Sequence, residues 1–230
     1  MNRGTALAIA GLAGVGLLGT AALVRRSNRR ALSLVAHEVI PLITPVIDLR
    51  IAENVLAAME RMSGENVTVI IHTQGGCVAS CVMIAKAVAQ FQNSHAVVPY
   101  MAISGGTMIA LSASNLSMGR NAALSAVDPI VMGQRAKNIE DGDNVSDHAL
   151  GALAREYHLA VGAFLRETLA RRLEGSSSSE LDAAVSVFMG ENRPHEWPIS
   201  SEQVSGLGIA VSLTEPRWAP IVDEVRRRWW

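Results

Sequence analysis

The sequence predicts an α/β protein built on a parallel sheet. Two short apolar runs, Asn66 to Ile71 and Ala96 to Ile103, each lead into a pair of glycines, and a stretch with helical apolar spacing follows each pair. Two strand-turn-helix units in succession are typical of a parallel layer covered by helices. The composition agrees, because 49% of the 230 residues are hydrophobic and only 18% are charged, which excludes a disordered or fibrous chain.

The first half of the chain supplies most of the predicted sheet. Apolar residues at helical spacing predict a helix over Asp48 to Met62, just before the first strand unit. Pro99 lies inside the second apolar run and argues against a central strand there, because proline cannot donate to a ladder. The second unit continues as a small-residue helix over Thr107 to Ala113, and a third short apolar run follows at Asn115 to Met118. A fourth apolar run spans Leu124 to Asp128.

The second half is predicted to be mostly helical. The polar stretch Lys137 to Ser146 reads as a loop, and Asp147 to Glu174 carries the apolar face of a long helix. Further elements are predicted from the same patterns: a helix over Leu181 to Met189, a short helix from Ser200, a strand around Ile209 to Leu213, and a helical tail over Ile221 to Trp230.

The amino-terminal segment is a candidate membrane anchor. From Thr5 to Val24 the chain carries no charge, and about 20 such residues are what a helix needs to cross a bilayer. Four arginines follow this stretch closely, whereas only Arg3 precedes it, so the positive-inside rule keeps the remaining chain cytoplasmic. A cleaved secretory signal and an organelle transit peptide are the alternatives.

Composition also narrows the class of function. The net charge of −1 argues against a dedicated nucleic-acid binder, which usually carries a strongly basic face. Cys77 and Cys81 cannot make a disulfide scaffold, and no second pair completes a tetrahedral metal site. The six histidines are scattered and no phosphate-binding loop is present. We therefore expect no metal and no cofactor.

The turn after the second apolar run is the best candidate for chemistry. Ser104 lies at the predicted strand end, and Gly105 opens the following helix, whose first amides lack intrahelical acceptors. The pair Gly75 and Gly76 ends the preceding strand, and the carboxyl ends of parallel strands share one edge of a sheet. Two amides from these turns could stabilise the negative charge on an attacked carbonyl oxygen. A plain turn or helix cap is the alternative interpretation.

Four segments together carry a resemblance to a known family. They are IHTQGGCVA from Ile71, VPYMAISGGTMIAL from Val98, NAALSAVDP from Asn121, and RPHEWPISSEQVSGLGIAV from Arg193. In this order they resemble the serine dehydrogenase proteinase family, which is similar to Clp-type proteolytic subunits and to membrane signal-peptide peptidases. The resemblance covers about residues 48–213 and implies the Clp/crotonase-like fold of repeated ββα and βαβ units.

The resemblance implies a catalytic triad. It makes Ser104 the nucleophile, the amides of Gly76 and Gly105 the oxyanion hole, and Asp128 and His195 the partners of the serine. His195 would accept the serine proton, and Asp128 would orient the imidazole ring. A turn-forming Asp-Pro pair and an exposed loop histidine are the alternative interpretations of these two residues.

A Ser-Lys dyad is the rival arrangement. Related membrane peptidases use a lysine base, and Lys137 lies at a position from which it could reach Ser104; a solvated charged loop is the other interpretation.

The sequence also departs from the usual family pattern at positions beside the site. They are Gln74, Ser114, Asn115, Ser125, Ala126 and Glu196.

The sequence therefore predicts a membrane-anchored serine endopeptidase that cleaves membrane-associated or unstructured polypeptides through an acyl-enzyme at Ser104. An extended substrate is expected to pair with the chain beside Gly75 as an added strand. The resemblance also implies a homo-oligomer. We expect an anchor over residues 1–30, a lead-in linker over 31–47, the peptidase domain over 48–215 and an amphipathic tail over 216–230. The alternatives are a crotonase-type enzyme acting on acyl-CoA and an inactive membrane scaffold.

Overall fold

The computed structural model describes residues 38–62, 64–140, 148–191 and 193–229. Ten strands and eight helices occur in these ranges. In chain order they are β1 (Val39–Ile43), α1 (Leu49–Met59), β2 (Asn66–His72), α2 (Val78–Ala89), β3 (Asn93–Val98), β4 (Met101–Ala102), α3 (Gly105–Ser112), β5 (Asn115–Met118), β6 (Ala123–Leu124), β7 (Ile130–Val131), β8 (Gln134–Arg135), α4 (Ala136–Glu140), α5 (His148–Arg172), α6 (Ser178–Phe188), β9 (Ile199–Ser200), α7 (Ser201–Gly206), β10 (Ser212–Leu213) and α8 (Ala219–Trp229).

The main sheet has five strands in the order β1-β2-β3-β5-β10, and every neighbouring pair is parallel. The predicted parallel layer is therefore confirmed. Its central strands are apolar on both faces because helices and chain segments cover both sides of the sheet. On one face, Val69 and Ile71 of β2 belong to the large core that includes α1, α2, α3 and α5. On the other face, Ile70 and Val97 pack against Trp218 and Val222 of the carboxyl-terminal segment.

A second, smaller sheet extends the edge at which the main strands end. It has the order β4-β6-β9, with β4 parallel to β6 and β9 antiparallel to β6. A parallel bridge between Thr73 and Ala102 joins β4 to the end of β2. This extension brings the residues around 73, 103 and 125 together above the carboxyl ends of the main strands.

Three local predictions differ from the structure. The predicted second strand is divided at Pro99 into β3 and β4, yet β3 is central because the proline comes after its last ladder partner. Strand β1 lies inside the segment 31–47 that was expected to be a linker, and Val39 to Ile43 pair with β2 along their whole length. The polar stretch that was predicted to be a loop begins instead with the short helix α4.

The predicted membrane anchor, residues 5–24, lies outside the residues that the structure describes. Among the helices of the described ranges, none is both long enough and apolar enough to cross a bilayer.

Candidate active site

Ser104 occupies a strained turn at the start of α3. Its φ is 53° and its ψ is −117°, a left-handed conformation that is rare for a residue with a side chain. The backbone N–H of Ser104 donates to the hydroxyl of Ser125 at 2.8 Å, and that hydroxyl donates to the carbonyl of Ala126 at 2.9 Å. The buried Ser125 therefore holds the turn in a conformation that local preference would disfavour.

The two glycine turns lie in direct contact. A Cβ atom on Gly75, whose φ is 100°, would stand 2.7 Å from the Cβ of Ser104. A Cβ atom on Gly105 would stand 3.7 Å from the amide nitrogen of Gly76 and would overlap the thiol of Cys81. In the described residues, the N–H groups of Gly76 and Gly105 donate no hydrogen bond. Both amides are therefore available as donors.

Asp128 and His195 form a buried pair. The Asp128 carboxylate, which is 1% exposed, lies 2.9 Å through Oδ1 from Nδ1 of His195, whose side chain is 15% exposed. An ionised carboxylate only accepts hydrogen bonds, so Nδ1 carries the proton and donates it. The other ring nitrogen, Nε2, is then left as an acceptor. Neither a simple Asp-Pro turn nor an exposed loop histidine accounts for this contact.

Arg135 completes the surroundings of Asp128. Its Nε donates to Oδ2 of Asp128 at 2.5 Å, while its two terminal nitrogens donate to the carbonyls of Gly190 and Arg193, each at 2.7 Å. Burial by itself raises the pKa of Asp128, but the hydrogen bonds from His195 and Arg135 outweigh it and hold that pKa below its ordinary value. Arg135 was not predicted from sequence, because no motif or spacing marks it.

One cavity of about 570 Å³ is lined by most of the predicted site residues. Of the seven site residues predicted from the sequence, it is lined by Ser104, Asp128, His195, Gly76 and Gly105. The remaining lining residues are Gln74, Val78, Met101, Ile103, Met108, Val127, Pro129, Ile130 and Glu196. Ser104, His195 and the two glycines with unbonded amides thus line one partly apolar space, although no hydrogen bond joins the Ser104 hydroxyl to His195 in the structure; these are the groups that acyl transfer uses.

The other two predicted residues stand apart from the cavity lining. Gly75 lies behind Ser104, as its close approach to that residue shows. Lys137 lies in α4, and its ammonium group donates to the Gly190 carbonyl at 3.3 Å. In the ranges that the structure describes, no group of three His, Cys, Asp or Glu side chains could hold a metal ion.

The chain matches a family model over residues 25–223, that of the ClpP-like SDH-type serine proteinases. Two uncharacterized proteins of Methanocaldococcus jannaschii are related to it in sequence. One is 31% identical over 182 residues, which are 74% of this chain and 62% of that protein. The other is 28% identical over 181 residues, which are 74% of this chain and 61% of that protein. The chain thus spans about three fifths of the length of these relatives.

Solved structures share the fold at low sequence identity. ClpP1 from Listeria monocytogenes superposes with a TM-score of 0.52 and 16% identity, over 80% of this chain and 95% of that chain. A mutant of the 1510-N membrane-bound stomatin-specific protease gives a TM-score of 0.56 and 16% identity, over 83% of each chain. These similarities establish a ClpP-like α/β fold.

Proposed function

This chain belongs to the ClpP-like SDH-type serine proteinases, and from that premise we propose that it is a serine endopeptidase with Ser104 as its nucleophile. One observation carries the proposal more than any other. The buried pair of Asp128 and His195 faces the same cavity as Ser104, although these residues come from three separate parts of the chain.

The chemistry follows from the atoms in the cavity. As Oγ of Ser104 attacks the carbonyl carbon of a peptide bond, Nε2 of His195 takes its proton and Asp128 stabilises the imidazolium. The carbonyl oxygen becomes negative and accepts hydrogen bonds from the amides of Gly76 and Gly105. His195 then gives the proton to the leaving amine, so the C–N bond breaks and an ester on Ser104 remains. Water, deprotonated by His195, hydrolyses that ester.

The cavity wall favours an extended, partly apolar substrate. Met101, Ile103 and Met108 line the space beside the nucleophile, so an apolar side chain next to the cleaved bond would gain free energy by leaving water for this wall. A polypeptide strand added at Gly75 would have to displace an existing bond, because the Gly75 N–H donates to Thr73 Oγ1 at 3.1 Å and the Gly75 carbonyl accepts from the N–H of Ile47 at 2.7 Å. Unstructured or membrane-associated polypeptides supply both an extended main chain and apolar side chains.

The triad is preferred over a Ser-Lys dyad because of where the two bases lie. His195 lines the cavity with Ser104, whereas the ammonium group of Lys137 donates to the Gly190 carbonyl and is absent from the cavity lining. A lysine base would also need to lose its proton near neutral pH.

Fluorophosphonate labelling tests both the nucleophile and the base. The wild-type protein should label once, S104A should not label, and H195A and D128A should label far more slowly than K137A. If H195A and D128A keep the wild-type rate while K137A loses it, the dyad replaces the triad. If the wild-type protein does not label but is stabilised against heat by acyl-CoA, the crotonase-type alternative gains support.

The membrane, assembly and domain proposals rest on sequence. The uncharged stretch from Thr5 to Val24 would anchor the domain, with the arginines after it on the cytoplasmic side. Fractionation of cells expressing the full chain and a variant lacking residues 1–30 tests the anchor, because only the full chain should remain with membranes after a carbonate wash. Light scattering on the same two proteins tests the homo-oligomer, and circular dichroism tests whether residues 31–230 fold by themselves.

A further inference from the structure

We propose that Arg135 is a positioning residue that fastens the loop carrying His195 to Asp128. The inference rests on the proposed function, since it concerns how the triad is assembled. It assigns a role to a residue that neither the predicted triad nor the predicted dyad includes.

The geometry of Arg135 is that of a three-way clamp. One nitrogen binds Oδ2 of Asp128, and the other two bind the carbonyls of Gly190 and Arg193. Those carbonyls belong to the irregular segment between α6 and β9, which delivers His195 to the cavity. The side chain is only 17% exposed. A planar guanidinium with donors on three nitrogens can satisfy all three acceptors at once, whereas an ammonium group is a single point of charge.

The loop is shaped to receive this guanidinium. Gly190 has a φ of 68°, and a Cβ atom there would stand 2.6 Å from a terminal nitrogen of Arg135 and 3.0 Å from Oδ1 of Asp128. A side chain at position 190 would therefore push into the clamp from the side of the carboxylate. The backbone N–H of Val127 also donates to the Phe188 carbonyl at 2.7 Å, which brings the two segments side by side.

The two oxygens of the Asp128 carboxylate have different partners. Arg135 occupies Oδ2, so Oδ1 is left to receive the imidazole of His195. Charged residues on the neighbouring segments are Lys137, which shares the Gly190 carbonyl with Arg135, Glu196, which lines the same cavity, and Arg193, whose carbonyl Arg135 binds. Without Arg135, a carboxylate that is 1% exposed would keep His195 as its only hydrogen-bonded partner and would take up a proton at higher pH.

Fluorophosphonate labelling and the carboxyl-carbon NMR titration of Asp128 together test the proposal. In R135M, the labelling rate at pH 7 should fall about tenfold or more, because the imidazole is no longer held in place. The titration midpoint of Asp128 should also rise by about one pH unit or more. R135K should restore most of the midpoint, since it keeps the charge, but should not restore the rate. R166M is the matched control, because Arg166 pairs with Asp182 on the surface, where both side chains are half exposed.

A folded R135M with the wild-type labelling rate and the wild-type Asp128 midpoint would overturn the proposal. If R135M does not fold, R135K decides the question, and a wild-type rate in R135K refutes the need for a forked donor. Failure of the proposed function looks different, because then the wild-type protein itself does not label. In that event, the carboxyl-carbon NMR titration of Asp128 still tests the role without any activity: the midpoint should rise in R135M, and an unchanged midpoint refutes the role.

Discussion

The substitution S125A tests whether Ser125 holds the proposed nucleophile in place. The Ser125 hydroxyl accepts from the N–H of Ser104 and donates to the carbonyl of Ala126. Removing it leaves both groups without these partners in a buried setting, which should cost about 1–3 kcal/mol. The left-handed conformation of Ser104 costs about 1–3 kcal/mol by itself. The two magnitudes are comparable, so the variant turn should relax from its strained form.

The expected effect on reactivity follows from that comparison. If about 1.4 kcal/mol of the loss falls on the placement of Ser104, the labelling rate drops about tenfold. The assay is the second-order rate of fluorophosphonate labelling, measured together with the free energy of unfolding in urea. Both should fall in S125A.

The matched control is S112A, at the other end of α3. The Ser112 hydroxyl is also buried and donates to the Met108 carbonyl at 2.8 Å. Its loss should lower the free energy of unfolding by about 1 kcal/mol and leave the labelling rate unchanged. An S125A protein that labels at the wild-type rate would refute the reasoning, since the strained turn would then be held without Ser125.

Three further outcomes are expected. The pKa of Asp128 in the folded protein lies below its ordinary value of 3.8. Ionisation of Asp128 therefore stabilises the fold above about pH 4, and this contribution is lost as the pH falls through the folded pKa. The free energy of unfolding of D128N in urea should depend less on pH between pH 2 and 5 than that of the wild-type protein. Burial lowers the pKa of Arg172 to about 10, so the side chain is charged at pH 7, and it donates to the carbonyls of Leu111 and Ala113 at 2.7 and 2.6 Å. In R172M the free energy of unfolding should fall by about 3 kcal/mol, which calorimetry would show as a fall in Tm of roughly 6–12 °C. A fall below about 2 °C would contradict the assigned hydrogen bonds. Met132 is 84% exposed and has a φ of 51° in the turn between β7 and β8. The substitution M132N should raise the free energy of unfolding by about 0.5–1 kcal/mol, because asparagine tolerates this conformation better. A lower free energy of unfolding in urea would show that the methionine makes compensating contacts.

The sheet was predictable from sequence because its signals are local. A run of β-branched residues that ends in Gly75 and Gly76 specifies a buried strand and a tight turn without reference to the rest of the chain. Strand β1 was not predicted, because Pro41 and the polar residues around it interrupt the apolar pattern of a buried strand. Its place in the sheet comes from pairing with β2, which is a tertiary effect.

The site was predictable only in part, for the same physical reason. Ser104 stands out because its turn has a recognisable pattern, whereas Asp128 and His195 were identified through the family resemblance alone. Ser125 and Arg135 carry no local signal at all. Their partners lie 21 residues away in one case and up to 58 in the other, so only the folded chain reveals what they hold.

The serine and the imidazole are held by parts of the structure that differ in regularity. Ser104 lies between β4 of the smaller sheet and α3, and Gly76 follows β2 of the main sheet, so both turns are joined to paired strands. The imidazole lies instead on an irregular segment, held by side chains such as Arg135 that bind its carbonyls. If the proposed triad operates, a motion confined to that segment would separate base from nucleophile without opening the hydrophobic core.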